Sequence, residues 1–229
     1  MLATLAVAAT AVAGFSAEHR PIELLHVPGA GARVLVVGSI HGNEPAGIAI
    51  VRALERSHPH ADLWLVPTLN PDGLARGTRQ NAHGIDLNRN FSAGWRRFGP
   101  PNSVYAAGPR PFSEPETRVA RAIVTRVKPQ ATIWFHQHKD VVWAYGRSSA
   151  AGRRYARATG MRLYHHPWLA GSATNWQNHL VGGGVSFTVE LPAGSLSSAA
   201  VQRHVRAVLG LAGPLKETSR RAGAPDQRL

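Results

Sequence analysis

The chain has no cysteine among its 229 residues. That excludes a disulfide scaffold, a thiol nucleophile and any thiolate metal site, so a bound metal would need His, Asp or Glu as ligands. Acidic residues are scarce: 13 Asp and Glu face 26 Lys and Arg, for a formal net charge of +13. Such a balance favours anionic partners. The basic residues are scattered, however, as in Arg96, Arg97, Arg153, Arg154, Arg220 and Arg221. No basic block interleaves with aromatics as a nucleic-acid groove requires, so no nucleic-acid partner is expected. Long apolar runs are also missing. The longest is Met1 to Gly14, interrupted by Thr4 and Thr10, and a bilayer span needs ~20 residues. It has the form of a signal-peptide core with Ala11-Val12-Ala13 as a cleavage site, although no Lys or Arg precedes it. Residues 1–17 are therefore expected to be a signal peptide, with the mature protein exported to the periplasm or the exterior, or else an apolar leader, with the protein cytoplasmic. There are no internal repeats. The segment GSIHG around Ser39 lacks the central serine of a nucleophile elbow, which removes the serine-hydrolase class.

What is present reads as one globular domain: apolar residues make up 44% of the chain, and this length holds one sizeable core. Pro21–His26 reads as an edge strand. Ala32–Ile40 is a near-continuous apolar run, the pattern of a strand buried on both faces. Apolar residues at helical spacing follow from Ala46 to Leu54, with Pro45 in the first turn, where its missing N–H costs nothing. Asp62–Val66 is a second buried strand, and LNPDG after it reads as a turn. From Ala75 to Asn102 there is little periodicity and much Gly, Asn, Arg and Pro. A stretch of that length inside a compact domain is usually functional or disordered. Ser113 with Glu116 reads as a capping box opening a helix to Val127. Ala131–Phe135 is a third buried strand, Ser149–Thr159 a helix, and Val185–Leu191 an alternating strand. A last helix covers Ser198–Leu211, and 214–229 reads as a flexible polar tail. Strands alternating with helices predict a single α/β domain around a largely parallel, mixed central sheet flanked by helices.

Ligands of such sheets bind outside the carboxyl ends of the strands, where His41, His136 and Glu190 fall. His41 and Glu44, three apart at a strand-to-helix junction, can converge on one ion, and zinc accepts both donor types. Taken alone this spacing is weak in a chain with 12 His; a turn histidine and a helix-start glutamate would look the same. His136 and His138 share a strand face and periodicity does not separate them, although His136 directly ends the hydrophobic run. Glu190 shares its face with Ser186 and Thr188, against an apolar opposite face. A carboxylate there is costly without a task or a partner. It is either a general base or half of a salt bridge to one of the arginines. Arg79, Asn81, Asp86, Asn88, Arg89 and Asn90 crowd into RQNAHGIDLNRNF, a wall suited to anions and amides.

The ordered set HGNE, LNPDG, R-x-N-x-x-G-I-D-L-N-R-N-F, FHQH and FTVEL, from about Arg33 to Leu191, resembles the zinc metallocarboxypeptidase superfamily, the fold of carboxypeptidases A and B. Within it, HGNEPAG and ELPAG with their compact spacing look like the bacterial murein peptide amidase branch, which cuts γ-D-glutamyl–diaminopimelate bonds. The resemblance implies a zinc peptidase domain over 18–213 and one Zn2+ held by His41, Glu44 and His136. It makes Glu190 the general base, Arg79 the group that stabilises the oxyanion, Asn88 and Arg89 the grip on a substrate carboxylate, and Asp86 the carboxylate that orients the first zinc histidine. It implies that zinc lowers the pKa of its water and that the substrate is a peptide, most naturally a cell-wall murein peptide.

Two departures stand out. The tyrosine that closes over the terminal carboxylate in carboxypeptidases A and B has no evident counterpart, the nearest being Tyr164. GSATNW carries Asn175 where those enzymes carry Asp, and Thr174 at the specificity position, which argues against a bulky apolar pocket. Two other readings compete. One is a succinylglutamate desuccinylase- or aspartoacylase-like zinc acyl-amino-acid hydrolase, which shares HGNE and DLNR but not LNPDG or the full R-x-N segment. The other is a non-catalytic wall-binding module, against which the retained trio and Glu190 argue.

Overall fold

A computed structural model describes residues 9–57, 60–100 and 103–212. Eight strands form one mixed sheet: β1 (Ala9–Phe15), β2 (Pro21–Val27), β3 (Arg33–Val37), β4 (Asp62–Val66), β5 (Ala131–Gln137), β6 (Val141–Trp143), β7 (Arg162–Tyr164) and β8 (Val185–Leu191). Their spatial order is β1-β2-β4-β3-β5-β8-β6-β7. The central ladder β4-β3-β5-β8 is parallel throughout. Antiparallel pairs join β1 to β2, β2 to β4 and β6 to β8. Among the described residues, six α-helices accompany the sheet: α1 (Ala46–Glu55), α2 (Pro71–Arg76), α3 (Pro115–Val127), α4 (Ser149–Thr159), α5 (Ala173–Leu180) and α6 (Ser198–Gly210). No helix among the described residues is long and apolar enough to cross a membrane.

The central strands read as apolar runs because both of their faces are covered. Val34 and Val36 of β3 and Ile133 and Phe135 of β5 pack with α1, α4 and α6 on one face. Leu35, Val37 and Trp134 turn to the other face, against α3 and α5. All seven are at most 2% exposed, and burial of each large side chain contributes roughly 1.5–3 kcal/mol. β8 differs. Phe187, Val189 and Leu191 join the first core, while the opposite face is polar. There Ser186 Oγ accepts the Trp134 indole N–H at 3.0 Å, and its backbone bonds Asn178. That face supplies Thr188 and Glu190 to the cavity described below.

The differences from the expected elements are local. LNPDG is not a bare turn: Asn70 caps the N-terminus of α2 by accepting from Gly73 N–H at 2.9 Å, and Gly77 ends the helix in the left-handed region. Ser113 does not cap α3. The cap is Glu114 with Pro115 in the first turn, and Ser113 Oγ donates to the Glu114 carboxylate. Glu116 does not reach back; it accepts from Ala17 N–H and Asn81 instead. Pro45 is the cap of α1 rather than its first residue. Ala11-Val12-Ala13 lies inside β1, where Ala11 and Val12 pair with Leu24 and Glu23. Residues 1–8 and the tail 214–229 lie outside the described residues.

Candidate active site

The parallel strands β3, β5 and β8 end side by side, and their carboxyl ends carry the site. Beyond β3 the chain turns, with Ser39 Oγ donating to the His41 carbonyl at 2.6 Å and Glu44 N–H bonding the same carbonyl. Gly42 is obligatory in this turn: a Cβ there would lie 1.9 Å from the Gly73 backbone of α2. The two glycines of HGNE and LNPDG are thus the two sides of one close backbone contact. His136 ends the buried part of β5, and in the parallel register it lies opposite Glu190 of β8.

His41, Glu44 and His136 are all buried, and one ligand atom from each lies within 4.8 Å of the others. His41 Nδ1 is 3.0 Å from Glu44 Oε1 and 3.1 Å from His136 Nδ1, which lies 2.9 Å from Glu44 Oε2. His41 turns its other nitrogen to Asp86, with Nε2–H donating to Oδ1 at 2.9 Å. That bond leaves Nδ1 as the free lone pair facing Glu44 and His136, the usual way a carboxylate fixes the tautomer of a metal-ligating imidazole. Nitrogen lone pairs and carboxylate oxygens converging this closely repel one another unless a shared proton or a metal cation lies between them. The donor set of two imidazoles and one carboxylate fits zinc.

Arg79 locks the cluster from behind. Its Nε and Nη2 donate to Asp86 Oδ2 at 3.1 and 2.9 Å, and its Nη1 donates to Glu44 Oε1 at 3.0 Å. Burial would raise the pKa of Glu44, but hydrogen bonds and charge from His136 and His41 outweigh it and hold the carboxyl far below its ordinary value. Asp86 is treated the same way: burial opposes ionisation, while His41, Arg79 and Arg89 hold the carboxyl well down. Burial works against a charged His41, and Asp86 with Glu44 overcomes it and raises that pKa. The trio is therefore biased toward anionic carboxylates.

The trio opens into a cavity of about 500 Å3, also lined by Arg79, Asn88, Arg89, Thr174 and Glu190. Asp86, fully buried, stands behind His41. Of the residues expected at the site, Arg79, Asp86, Asn88, Arg89, Thr174 and Glu190 are thus brought to the trio, while Asn81 and Asn90 are not. Asp86 also caps the one-turn 3-10 helix Leu87–Arg89, accepting from Asn88 N–H. Leu87 plugs into the core, which turns Asn88 and Arg89 toward the cavity. Asn88 Oδ1 accepts from Ala173 N–H at the start of α5, and Asn88 Nδ2 sits 3.4 Å from His136 Nε2. His138 is exposed and outside the metal cluster, though it lines the cavity. Asn81 and Asn90 serve the scaffold: Asn81 bonds Glu114 and Glu116, and Asn90 bonds Ala107, Ser113 and Thr117.

Glu190 is 9% exposed, and its Oε2 is buried with no hydrogen-bond partner. No ion pair among the described residues uses it, so the salt-bridge reading of this strand carboxylate does not hold here.

Several lining residues were not singled out from the sequence: Tyr105, Gln137, Lys139, Trp143 and Trp168. Gln137 ties the site together, accepting from Ala46 N–H of α1 and donating to the Pro192 and Gly194 carbonyls. Tyr105 stands with the guanidinium carbons of Arg79 and Arg89 5.5 and 5.7 Å from its ring centroid. Tyr164 lies outside the cavity lining and packs on Trp143. Gln137 and Lys139 lie within three residues of His136, and that closeness could have flagged them; Tyr105, Trp143 and Trp168 come from separate segments, with only their aromatic character as a hint.

A family model for zinc carboxypeptidase matches residues 6–175. The chain belongs to this family. The match stops short of Glu190, whose case therefore rests on geometry. Murein peptide amidase A of Escherichia coli K12 is 31% identical over 121 residues, covering 44% of this chain and 48% of that protein. Carboxypeptidase B of Astacus astacus is 29% identical over 167 residues, covering 58% and 54%. The chain thus spans about half the length of these curated relatives. The solved murein-tripeptide amidase of Escherichia coli O157 superposes with a TM-score of 0.73 at 26% identity, covering 88% of this chain and 90% of that one. Carboxypeptidase A of Helicoverpa armigera, at 18% identity, shares the fold with a TM-score of 0.76, covering 90% and 69%.

Proposed function

We propose that this chain hydrolyses the γ-D-glutamyl–diaminopimelate amide of murein peptides, with one zinc ion held by His41, Glu44 and His136. The observation that carries the reading is Glu190: a buried carboxylate with an unpartnered oxygen, in the same cavity as a buried His–Glu–His cradle. When bound, zinc supplies Lewis acidity, acidifying water and polarising a carbonyl. Glu190 takes a proton from the attacking water through its free oxygen and returns it to the departing amine nitrogen, as a general base and then acid. Arg79, preorganised by Asp86 and Glu44, presents positive charge to the oxygen of the tetrahedral intermediate. Arg89 and Asn88 hold the carboxylate next to the scissile amide, which favours a cut one residue from an end. Thr174, buried on the cavity wall, keeps that part of the cavity small and polar. The likeness to murein peptide amidases supports the choice of substrate.

The test compares L-Ala-γ-D-Glu-diaminopimelate with peptides ending in Lys, Arg and Phe, using wild type and Glu190→Gln. The expected result is cleavage of the murein tripeptide, abolished by EDTA, restored by zinc and largely lost in the variant. A fully active Glu190→Gln protein would remove Glu190 as the base. Turnover of N-succinylglutamate without cleavage of the tripeptide would move the chain to the acyl-amino-acid hydrolase reading.

A further inference from the structure

A second cavity of about 350 Å3 adjoins the first, and Arg89, Tyr105, Lys139 and Leu169 line both. Its other walls are Arg96, Phe98, Ala107 and Ala170. Three cations therefore surround it and no acidic residue lines it. Among the described residues no carboxylate lies within ion-pair distance of Arg89, Arg96 or Lys139, whereas Arg20, Arg33, Arg52, Arg76 and Arg79 each have one. Arg89 is half-buried and, among the described residues, its guanidinium donates to the Asn88 carbonyl alone, at 2.7 Å. Arg96 lies over Phe98, 6.0 Å from its ring centroid. The remaining lining is apolar.

We infer that this annex is a binding subsite for a second carboxylate of the substrate, one carried at the far end of an aliphatic stem. Arg89 holds the carboxylate next to the scissile bond, at the junction of the two cavities. The stem lies along Tyr105 and Leu169, where methylenes find apolar cover. Arg96 and Lys139 then receive the distal carboxylate. A ligand with one carboxylate leaves Arg96 and Lys139 unmatched, and a ligand with no stem does not reach them. The inference rests on the proposed reaction only for the identity of the stem. Diaminopimelate has this shape, and lysine is the same molecule without the distal carboxylate.

The experiment therefore measures binding of free meso-diaminopimelate and free L-lysine by calorimetry, to the zinc-loaded wild type and to the Arg96→Ala/Lys139→Ala double variant. Both positions are exposed, so folding should survive. Circular dichroism and thermal melting check that it does. Diaminopimelate is expected to bind wild type about tenfold or more tightly than lysine, the effect of roughly one good charge-assisted contact. In the double variant that ratio is expected to fall below about threefold. Equal binding of the two amino acids by wild type overturns the subsite, and so does a ratio that survives the double substitution. Hydrolysis of the matching γ-D-glutamyl peptides runs in parallel. A preserved binding ratio in wild type with neither peptide cleaved leaves the subsite standing and rejects the proposed reaction instead.

Discussion

On the floor of the main cavity, Glu44, Asp86 and Arg79 engage nearly every polar atom with one another and with His41 and His136. At its mouth, Arg89, Arg96 and Lys139 have no carboxylate partner among the described residues, and Tyr105 and Lys139 are exposed. The floor is buried, so unpaired charge there would be severely destabilising, and each group must find a counter-charge within the fold. Arg96 and Lys139 at the mouth are exposed, so these cations can stand unpaired at little cost and keep their pairing capacity for a ligand. Glu190 belongs to the floor by burial and to the mouth by bonding, with a buried oxygen that has no partner among the described residues. A group of that kind is tolerated where its partner arrives with the substrate or its water.

Breaking that exception should have the largest effect. Glu190→Gln keeps the shape and removes the basicity, so kcat is expected to fall roughly 10²–10⁴-fold. Zinc content should remain near that of wild type, because Glu190 is not part of the cradle. Metal analysis alongside steady-state kinetics separates the two roles. Loss of zinc from the variant would place Glu190 among the ligands.

Loosening the floor comes next. In Asp86→Asn the amide can no longer offer Arg79 and His41 a full negative charge. Groups that orient a metal-bound imidazole typically change metal affinity or activity by roughly 10–100-fold when altered. Competition against a chromogenic chelator reads the affinity directly. An unchanged affinity would mean that the His41–Asp86 bond does not set the ligand geometry.

A third region, distant from the floor in kind, offers a control. His204 of α6 is 2% exposed and accepts the Tyr155 hydroxyl of α4 at Nδ1, 2.8 Å away. Burial, helped by the Arg203 charge and opposed by Asp140, lowers its pKa from 6.5 to about 4. Its folded form is thus kept neutral. The stability this contributes is intact above the unfolded pKa of 6.5 and is lost as pH falls toward about 4, where the unfolded chain binds the proton and the folded one does not. The loss is on the order of 3 kcal/mol. Urea unfolding at several pH values should show it, and His204→Gln should flatten the profile between those limits. A parallel fall in the variant would assign the acid sensitivity to other groups.

The floor was legible in the sequence and the mouth was not, for a physical reason. His136 and Glu190 sit near the ends of strands whose apolar runs announce themselves, His41 and Glu44 follow such a run within the HGNE motif, the resemblance grouped the four, and β4, β8 and α4 begin and end where patterning puts them. Asp86, Asn88 and Arg89 follow from a motif that must be contiguous, because one 3-10 turn presents all three. Tyr105, Trp143 and Trp168 come from three separate segments, and nothing local marks them as neighbours, although Lys139 directly follows the FHQH motif. α5 was invisible for a related reason. Its buried residues include Thr174, Gln177 and Asn178, which bond to the backbone and to Thr132 rather than forming an apolar stripe. β6 and β7, at three residues each, are too short to show a period.

The smallest expected effect tests whether the mouth needs its aromatic support. Tyr105 lies beside the guanidinium groups of Arg79 and Arg89, and an exposed contact of that type is worth about 0.5–1 kcal/mol. Tyr105→Ala should therefore raise KM roughly two- to fivefold while leaving kcat nearly unchanged, because Arg89 is less well positioned before the substrate binds. Tyr105→Phe keeps the ring face and should restore most of the loss. If Phe behaves like Ala, the phenolic hydroxyl rather than the ring acts on the substrate. Tyr105 would then be a direct donor to the carboxylate, in the role for which Tyr164 is out of place. A kcat effect larger than the KM effect would move Tyr105 from the mouth to the floor and erase the division between them at that residue.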